Sequence, residues 1–245
     1  MKILAIDTAT EACSVALLHD DIITSRFEVC PQQHSQRLLP MVDDVLKDAD
    51  LTLSELDLLA FGRGPGSFTG YVRIATGMIQ GLSLGTGLKV AGVSTLEAMA
   101  HEVASLGDAE SSIGVTNKYI AVASDARMDE VYFAVFKQSE SDITLVVAEQ
   151  VCPPHDAVEQ LNELAGLNKQ NVIAAGTGWS AYDALGQWLQ QCTTQEQAQV
   201  TLPNARFMLE LAQHAHENGT VTEATSVEPV YLRDKVTWKK LPGRE

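Results

Sequence analysis

The chain lacks long apolar runs. No stretch reaches eighteen such residues, and the opening Met1–Ile6 is broken by Asp7, so neither a membrane span nor a signal segment is expected. It lacks paired cysteines: Cys13, Cys30, Cys152 and Cys192 stand far apart with no C-x-x-C spacing. That excludes a zinc ribbon and disfavours a disulfide framework, and reduced thiols in a cytoplasm are expected. It lacks two histidines four residues apart. His214 and His216 differ by about 200° around a helix, so His19, His34, His101, His155, His214 and His216 predict no metal site. A Walker A loop is also absent, which removes the sequence signature of a P-loop enzyme.

Basic residues are scarce. Lys and Arg number 17 against 32 Asp and Glu, a net charge of −15. Residues 233–245 hold Arg233, Lys235, Lys239, Lys240 and Arg244 against Asp234 and Glu245, a net +3, which leaves −18 on residues 1–232. Such a body repels a phosphate backbone and disfavours autonomous nucleic-acid binding. The basic tail reads either as a solvated terminus or as a contact for RNA or an acidic partner.

What remains is ordinary globular composition, 45% hydrophobic and 20% charged over 245 residues, enough for one large or two small domains. Strands are predicted over 2–6, 12–18, 22–28, 57–61, 89–93, 119–124, 130–137, 143–149 and 171–175. Helices are predicted over 35–47, from the glycine-rich loop to 84, from the Ser94/Glu97 capping box to 105, and over 155–165, 180–190 and 205–217. The order strand-strand-strand-helix-strand-helix occurs twice. Asp7 and Asp125 each end a strand, with Ala16 and Ala134 nine residues on. This points to a duplicated α/β fold: one unit over 1–106, a second over 107–217 after the small, polar stretch 106–117, and a tail over 218–245. The cleft between such halves is the default ligand site.

The strongest local pattern is Gly62-Arg63-Gly64-Pro65-Gly66-Ser67-Phe68-Thr69-Gly70, between a strand and a helix. Its backbone N–H groups could approach an anion at a helix N-terminus, with Gly64, Gly66 and Ser67 as contacts, or the loop could be a tight turn capped by Ser67 or Thr69. Asp7 and Asp125 could face each other and hold a metal–nucleotide complex. Equally, Asp125–Glu130 could be a hairpin turn with a surface Arg127–Asp129 pair.

Gly64–Gly70 resembles the signature of the bacterial TsaB (YeaZ-type) family. Ile3–Thr8 with Cys13–Leu17, His34–Pro40, Gly92–Ala98, Asp125–Tyr132 and Pro229–Asp234 also match family blocks, in order along nearly the whole chain. The resemblance implies an actin/Hsp70/sugar-kinase fold, with two related subdomains of mixed sheets flanked by helices. It implies an accessory, non-catalytic subunit for threonylcarbamoyl transfer to N6 of adenosine 37 in ANN-decoding tRNAs. The implied partners are the catalytic paralogue TsaD and the ATPase TsaE, with a homodimer in the absence of TsaD. Contact with tRNA would be indirect, and ATP or ADP would bind only at the complex interface. TsaD carries a metal-binding H-x-x-x-H whose register falls on Thr95 and Met99 here, so no metal and no catalytic residue is expected.

The resemblance also implies pairing through the first unit, by helices near 35–47 and 71–84. Leu38, Leu39, Val42 and Leu46 on one, and Val72, Met78, Ile79 and Leu82 on the other, are the expected contacts. One departure stands out: the family loop is usually followed by one apolar residue and then Arg, whereas Tyr71 and Val72 both precede Arg73 here. An added residue turns a helix by about 100°. Two rival readings are a small kinase or ATPase using Asp7, the glycine loop and Asp125, and a peptidase of the older glycoprotease label, for which no triad or metal motif exists.

Overall fold

The structure, a computed structural model, describes residues 1–67, 69–110, 118–139, 142–192 and 198–233, with the side chains of 107–110 left aside. In chain order come β1 Ile3–Asp7, β2 Ala12–His19, β3 Ile22–Val29, α1 His34–Asp48, β4 Leu58–Gly64, α2 Thr69–Thr86, β5 Val90–Ser94 and α3 Thr95–Glu110. Then follow β6 Lys118–Asp125, β7 Val131–Ser139, β8 Asp142–Cys152, α4 Pro154–Glu163, β9 Val172–Ala175, α5 Gly178–Ala181, α6 Asp183–Leu189 and α7 Leu209–Glu217. The predicted helix over 180–190 is interrupted at Tyr182, whose backbone is extended (φ −128°, ψ 124°). The predicted helix from 205 opens as a 3-10 turn, Ala205–Met208.

One sheet has the order β3-β2-β1-β4-β5, with β1, β2 and β3 antiparallel neighbours and β4 and β5 parallel to β1. The other, β8-β7-β6-β9, repeats the scheme: β6 pairs antiparallel with β7 and parallel with β9. The α/β class with two related mixed sheets is therefore present, and Asp7 and Asp125 occupy equivalent strand ends.

The central strands explain the layering. Every residue of β1 is buried. Leu4 and Ile6 face one core with Leu38, Val42, Val45 and Ile79, whereas Ile3 and Ala5 face another with Ala205, Met208, Leu209 and Ala212. Alternation with period two sends successive side chains to opposite faces. In β6, Ala121 and Ala123 pack with Leu161, Trp179 and Trp188, while Ile120 and Val122 pack with Leu96, Met99, Ala100 and Val103.

The helices do not follow the sequence halves. Leu96, Met99, Ala100 and Val103 form the apolar stripe of α3, and that stripe lies on the second sheet although α3 follows β5 of the first. Helix α7, expected with residues 107–217, instead packs on the first sheet through Leu209 and Ala212. Each sheet thus borrows a helix from the other half. Of the stretch expected as a boundary, 111–117 lie outside the described residues, as do 234–245 of the tail.

Burial corrects five of the expected partner contacts. Leu38, Val42, Leu46, Val72 and Ile79 are buried within this chain and are not available to another. On an amphipathic helix the most apolar stripe faces the helix's own sheet. Leu39 stays 47% exposed, and Met78 and Leu82 are half-buried. We expect Leu38→Ala to cost about 2–5 kcal/mol in urea unfolding, and Leu39→Ala to stay within about 0.5 kcal/mol. Equal losses would mean that the side of α1 facing the sheet is wrongly assigned.

Candidate functional site

The end of β1 meets the glycine loop, α1 and α2 at residues 7–10. Asp7 Oδ1 accepts the Ala9 N–H at 3.1 Å, an Asx turn that reverses the chain into β2. Its carboxyl lies over Gly62 of β4: a Cβ there would stand 1.8 Å from Asp7 Oδ2, with Met208 Cε 3.3 Å away. Only glycine leaves that space. Asp7 is fully buried and Oδ2 has no hydrogen-bond partner. Burial therefore pushes its pKa up to about 7, with the Ala9 bond opposing in part.

Thr8, in the turn after β1, inserts its side chain into the first turns of α2. Its hydroxyl donates to the Tyr71 carbonyl at 2.5 Å and accepts the Ala75 N–H at 3.1 Å, bridging the two groups that a helix pairs four residues apart. Tyr71 also packs against His34, with ring centres 4.2 Å apart. The buried His34 lies with Nε2 2.9 Å from the Thr10 carbonyl, and burial holds its pKa below the ordinary value.

The glycine loop is clamped to this turn. Ser67 N–H donates to the Ala9 carbonyl at 3.0 Å, and a Cβ at Gly66 would come within 2.3 Å of the same oxygen. Gly64 has φ +97°, and a Cβ there would sit 3.0 Å from the Val230 carbonyl. Thr95 Oγ1 donates to the Pro65 carbonyl at 2.5 Å. A phosphate cradle presents free amides in an open concavity. Here the Ser67 amide is engaged by the Ala9 carbonyl, and the carbonyls of Ala9 and Val230 pack against Gly66 and Gly64, so Ser67 offers no free amide to a phosphate.

The predicted nucleotide residues fall into two groups. Asp7, Gly64, Gly66 and Ser67 converge on one joint. Asp125 belongs to another: its Oδ1 accepts from the Arg127 N–H at 2.8 Å and from the Tyr182 hydroxyl at 2.8 Å, Oδ2 lies 3.1 Å from Arg127, and its N–H donates to Thr177. All these partners lie in the second half. Arg127 pairs with Asp125 rather than with Asp129 as the hairpin reading had it. The Tyr182 hydroxyl, burdened by burial and by Asp125, is pushed up to about 12.

The two positions at the H-x-x-x-H register are closed. Thr95 and Met99 are buried; Thr95 is bound to Pro65, and Met99 Sδ accepts a 3.8 Å contact from Ser124 Oγ inside the α3 core. Among the described residues no group of three or more His, Cys, Asp or Glu is arranged to hold a metal ion. Nearby, Glu149 of β8 accepts from Ser94 and lies 3.5 Å from Arg63, tying the two sheets together. Glu97 beside it is raised by burial and by the Glu149 charge. Sequence reasoning missed Thr8, His34, Glu149, Tyr231 and Arg233. Four of the five lie in or beside quoted family blocks, but pattern alone assigns them no contacts.

The folded chain holds the Asp7 proton more tightly than the unfolded chain, whose carboxyl has the ordinary value of 3.8. Stability should therefore fall as pH rises from about 4 to about 7 and level off above that. Asp7→Asn removes the ionisation. It should raise stability at pH 8 by on the order of 1–3 kcal/mol and flatten the pH dependence of urea unfolding. A variant less stable than wild type at pH 8 would mean that the carboxylate has partners the geometry does not reveal.

A family model for TsaD, described as tRNA N6-adenosine threonylcarbamoyltransferase, matches residues 22–241. The chain is 44% identical to the tRNA threonylcarbamoyladenosine biosynthesis protein TsaB of Escherichia coli strain K12, over 100% of both chains. It is 43% identical to the protein of that name from Haemophilus influenzae, over 100% of this chain and 99% of that one. YeaZ from Pseudomonas aeruginosa superposes with a TM-score of 0.75 at 38% identity, covering 94% of this chain and 99% of that one. End-to-end identity at this level, on the same fold, makes the chain a member of the TsaB family.

Proposed function

We propose that this chain is an accessory, non-catalytic subunit in formation of threonylcarbamoyladenosine at position 37 of ANN-decoding tRNAs, acting in the cytoplasm. The observation that carries this is its full-length identity to proteins named for threonylcarbamoyladenosine biosynthesis. Buried Thr95 and Met99 at the register of the paralogue's metal ligands support the non-catalytic part. The acidic body supports indirect rather than autonomous tRNA contact. With the Ser67 amide engaged and Asp7 sealed over Gly62, a nucleotide would bind only where partners complete a site. The same closure speaks against the kinase reading.

The partner surface, on this reading, is the outer face of α2 with the adjoining Leu39 of α1. Gly77, Gly81 and Gly85 recur every fourth residue, and a Cβ at any of them would meet no atom within 4 Å. Leu84 is 70% exposed beside them, and Ile74, Met78 and Leu82 are half-buried. Such a groove admits a partner helix at close range. TsaD is the proposed occupant, a second copy of this chain fills it in the absence of TsaD, and TsaE joins the pair.

Gly81→Leu separates folding from binding. It replaces a helix-interior glycine that touches nothing, so stability should rise by about 0.5–1 kcal/mol. It also fills the groove, and affinity for TsaD in calorimetry should fall at least about tenfold. Reconstitution with the threonylcarbamoyl-AMP synthase, TsaD, TsaE, ATP, threonine, bicarbonate and tRNA should yield modified tRNA only when this chain is added. Equal yield without it, or ATP turnover by the isolated chain, would overturn the accessory reading.

A further inference from the structure

Residues 227–233 have no regular secondary structure and run from α2 across β4 to the far half of the molecule. Gln80 of α2 donates to the Val227 carbonyl at 2.9 Å. Val230 N–H donates to the Arg63 carbonyl at 2.7 Å. Arg73 Nε donates to the Tyr231 hydroxyl at 3.0 Å, with its guanidinium 5.8 Å from the ring centre. Two residues on, Arg233 Nε donates to Glu130 at 3.0 Å, and Nη2 donates to the carbonyls of Ala126 at 3.1 Å and Arg127 at 3.2 Å.

The turn that Arg233 holds is strained. Arg127, Met128 and Asp129 have φ of +61°, +59° and +59°, and none is glycine. Left-handed backbone is costly for residues with a Cβ, and three in a row persist only where neighbours over-determine them. Arg233 supplies that restraint from one side chain 17% exposed. At the other end the strap stands off α2: a cavity of about 490 Å³ lies between them, lined by Arg73, Gln80, Val227 and Tyr231. Arg73 precedes Gly77, Gly81 and Gly85 by the same four-residue step, so it lies on the proposed docking stripe.

We propose that the strap couples the α2 face to the turn at 126–130: a docking partner whose carboxylate takes Arg73 from Tyr231 loosens the grip of Arg233 on the left-handed turn. The mechanism rests on the docking reading above and supplies its consequence. It needs one element with two arrangements, biased by a group that binds one of them better. The Arg73–Tyr231 bond is that group's competitor.

Hydrogen exchange of the full chain tests this. Ala126 N–H bonds the Glu130 carbonyl at 3.0 Å, and Glu130 N–H bonds the Arg127 carbonyl at 3.2 Å, so both amides report the closed turn. In the isolated chain, Arg73→Ala and Tyr231→Phe should each speed exchange at 126–130 by about fivefold or more, as Arg233→Ala does directly, with amides of β9 unchanged. If Arg233→Ala frees the turn but the other two leave it at the wild-type rate, the strap does not transmit and the proposal falls. Added TsaD should speed the same amides in wild type. If TsaD binds and they do not change, coupling is again refuted. If TsaD does not bind at all, the docking reading fails while the isolated-chain variants still decide the coupling.

Discussion

The turn at residues 7–10 leaves β1 in the dry middle of the molecule, where its polar groups must find partners in the protein itself. Nearly all do. Asp7 takes the Ala9 amide, Thr8 bridges two groups of α2, the Ala9 carbonyl takes Ser67, and the Thr10 carbonyl meets His34. These bonds hold α1, α2 and the glycine loop at fixed distances from one strand end. Asp7 Oδ2 is left without a partner, and burial there raises the carboxyl pKa well above the ordinary value.

That satisfaction changes what the loop can do. A glycine-rich strand-to-helix turn is able to cradle an anion when its amides point into an open site. Here the nearest occupant is the Ala9 carbonyl, so the loop is a joint between β4 and α2 rather than a receptor. The same joint presents α2 outward. With Val72, Ala75 and Ile79 turned to the sheet, the glycine stripe and Leu84 are left on the opposite side. The glycine stripe and Leu84 therefore form the solvent-facing side of α2.

The two sheets exchange helices as well as contacts. Helix α3 serves the second core, α7 serves the first, and Glu149 reaches Ser94 and Arg63 between them. The strap at 227–233 adds a further crossing, from α2 to Glu130. Relative motion of the halves is thereby tied to the places where side chains cross. This is the physical basis for expecting an event on α2 to be felt at the β6–β7 turn.

Much of this was legible in the sequence. Period-two and period-3.6 apolar patterns report strands and helices directly, because the same alternation buries side chains in the folded state. The repeated element order and the paired Asp7 and Asp125 revealed the duplication for the same reason. Which apolar residues on a helix face its own sheet was not legible. Leu38 and Leu39 are chemically identical neighbours, and only the direction in which α1 lies on β2 buries one and exposes the other. Nor could local pattern show that a helix would pack on the distant sheet, that Gly62 exists to admit Asp7, or that Arg233 would grip a turn 103 residues away. The sequence by itself determined the elements, their repetition and the kinship. Tertiary structure alone decided which polar groups meet, and therefore which candidate site is closed and which surface is open, because those outcomes depend on contacts between residues far apart along the chain.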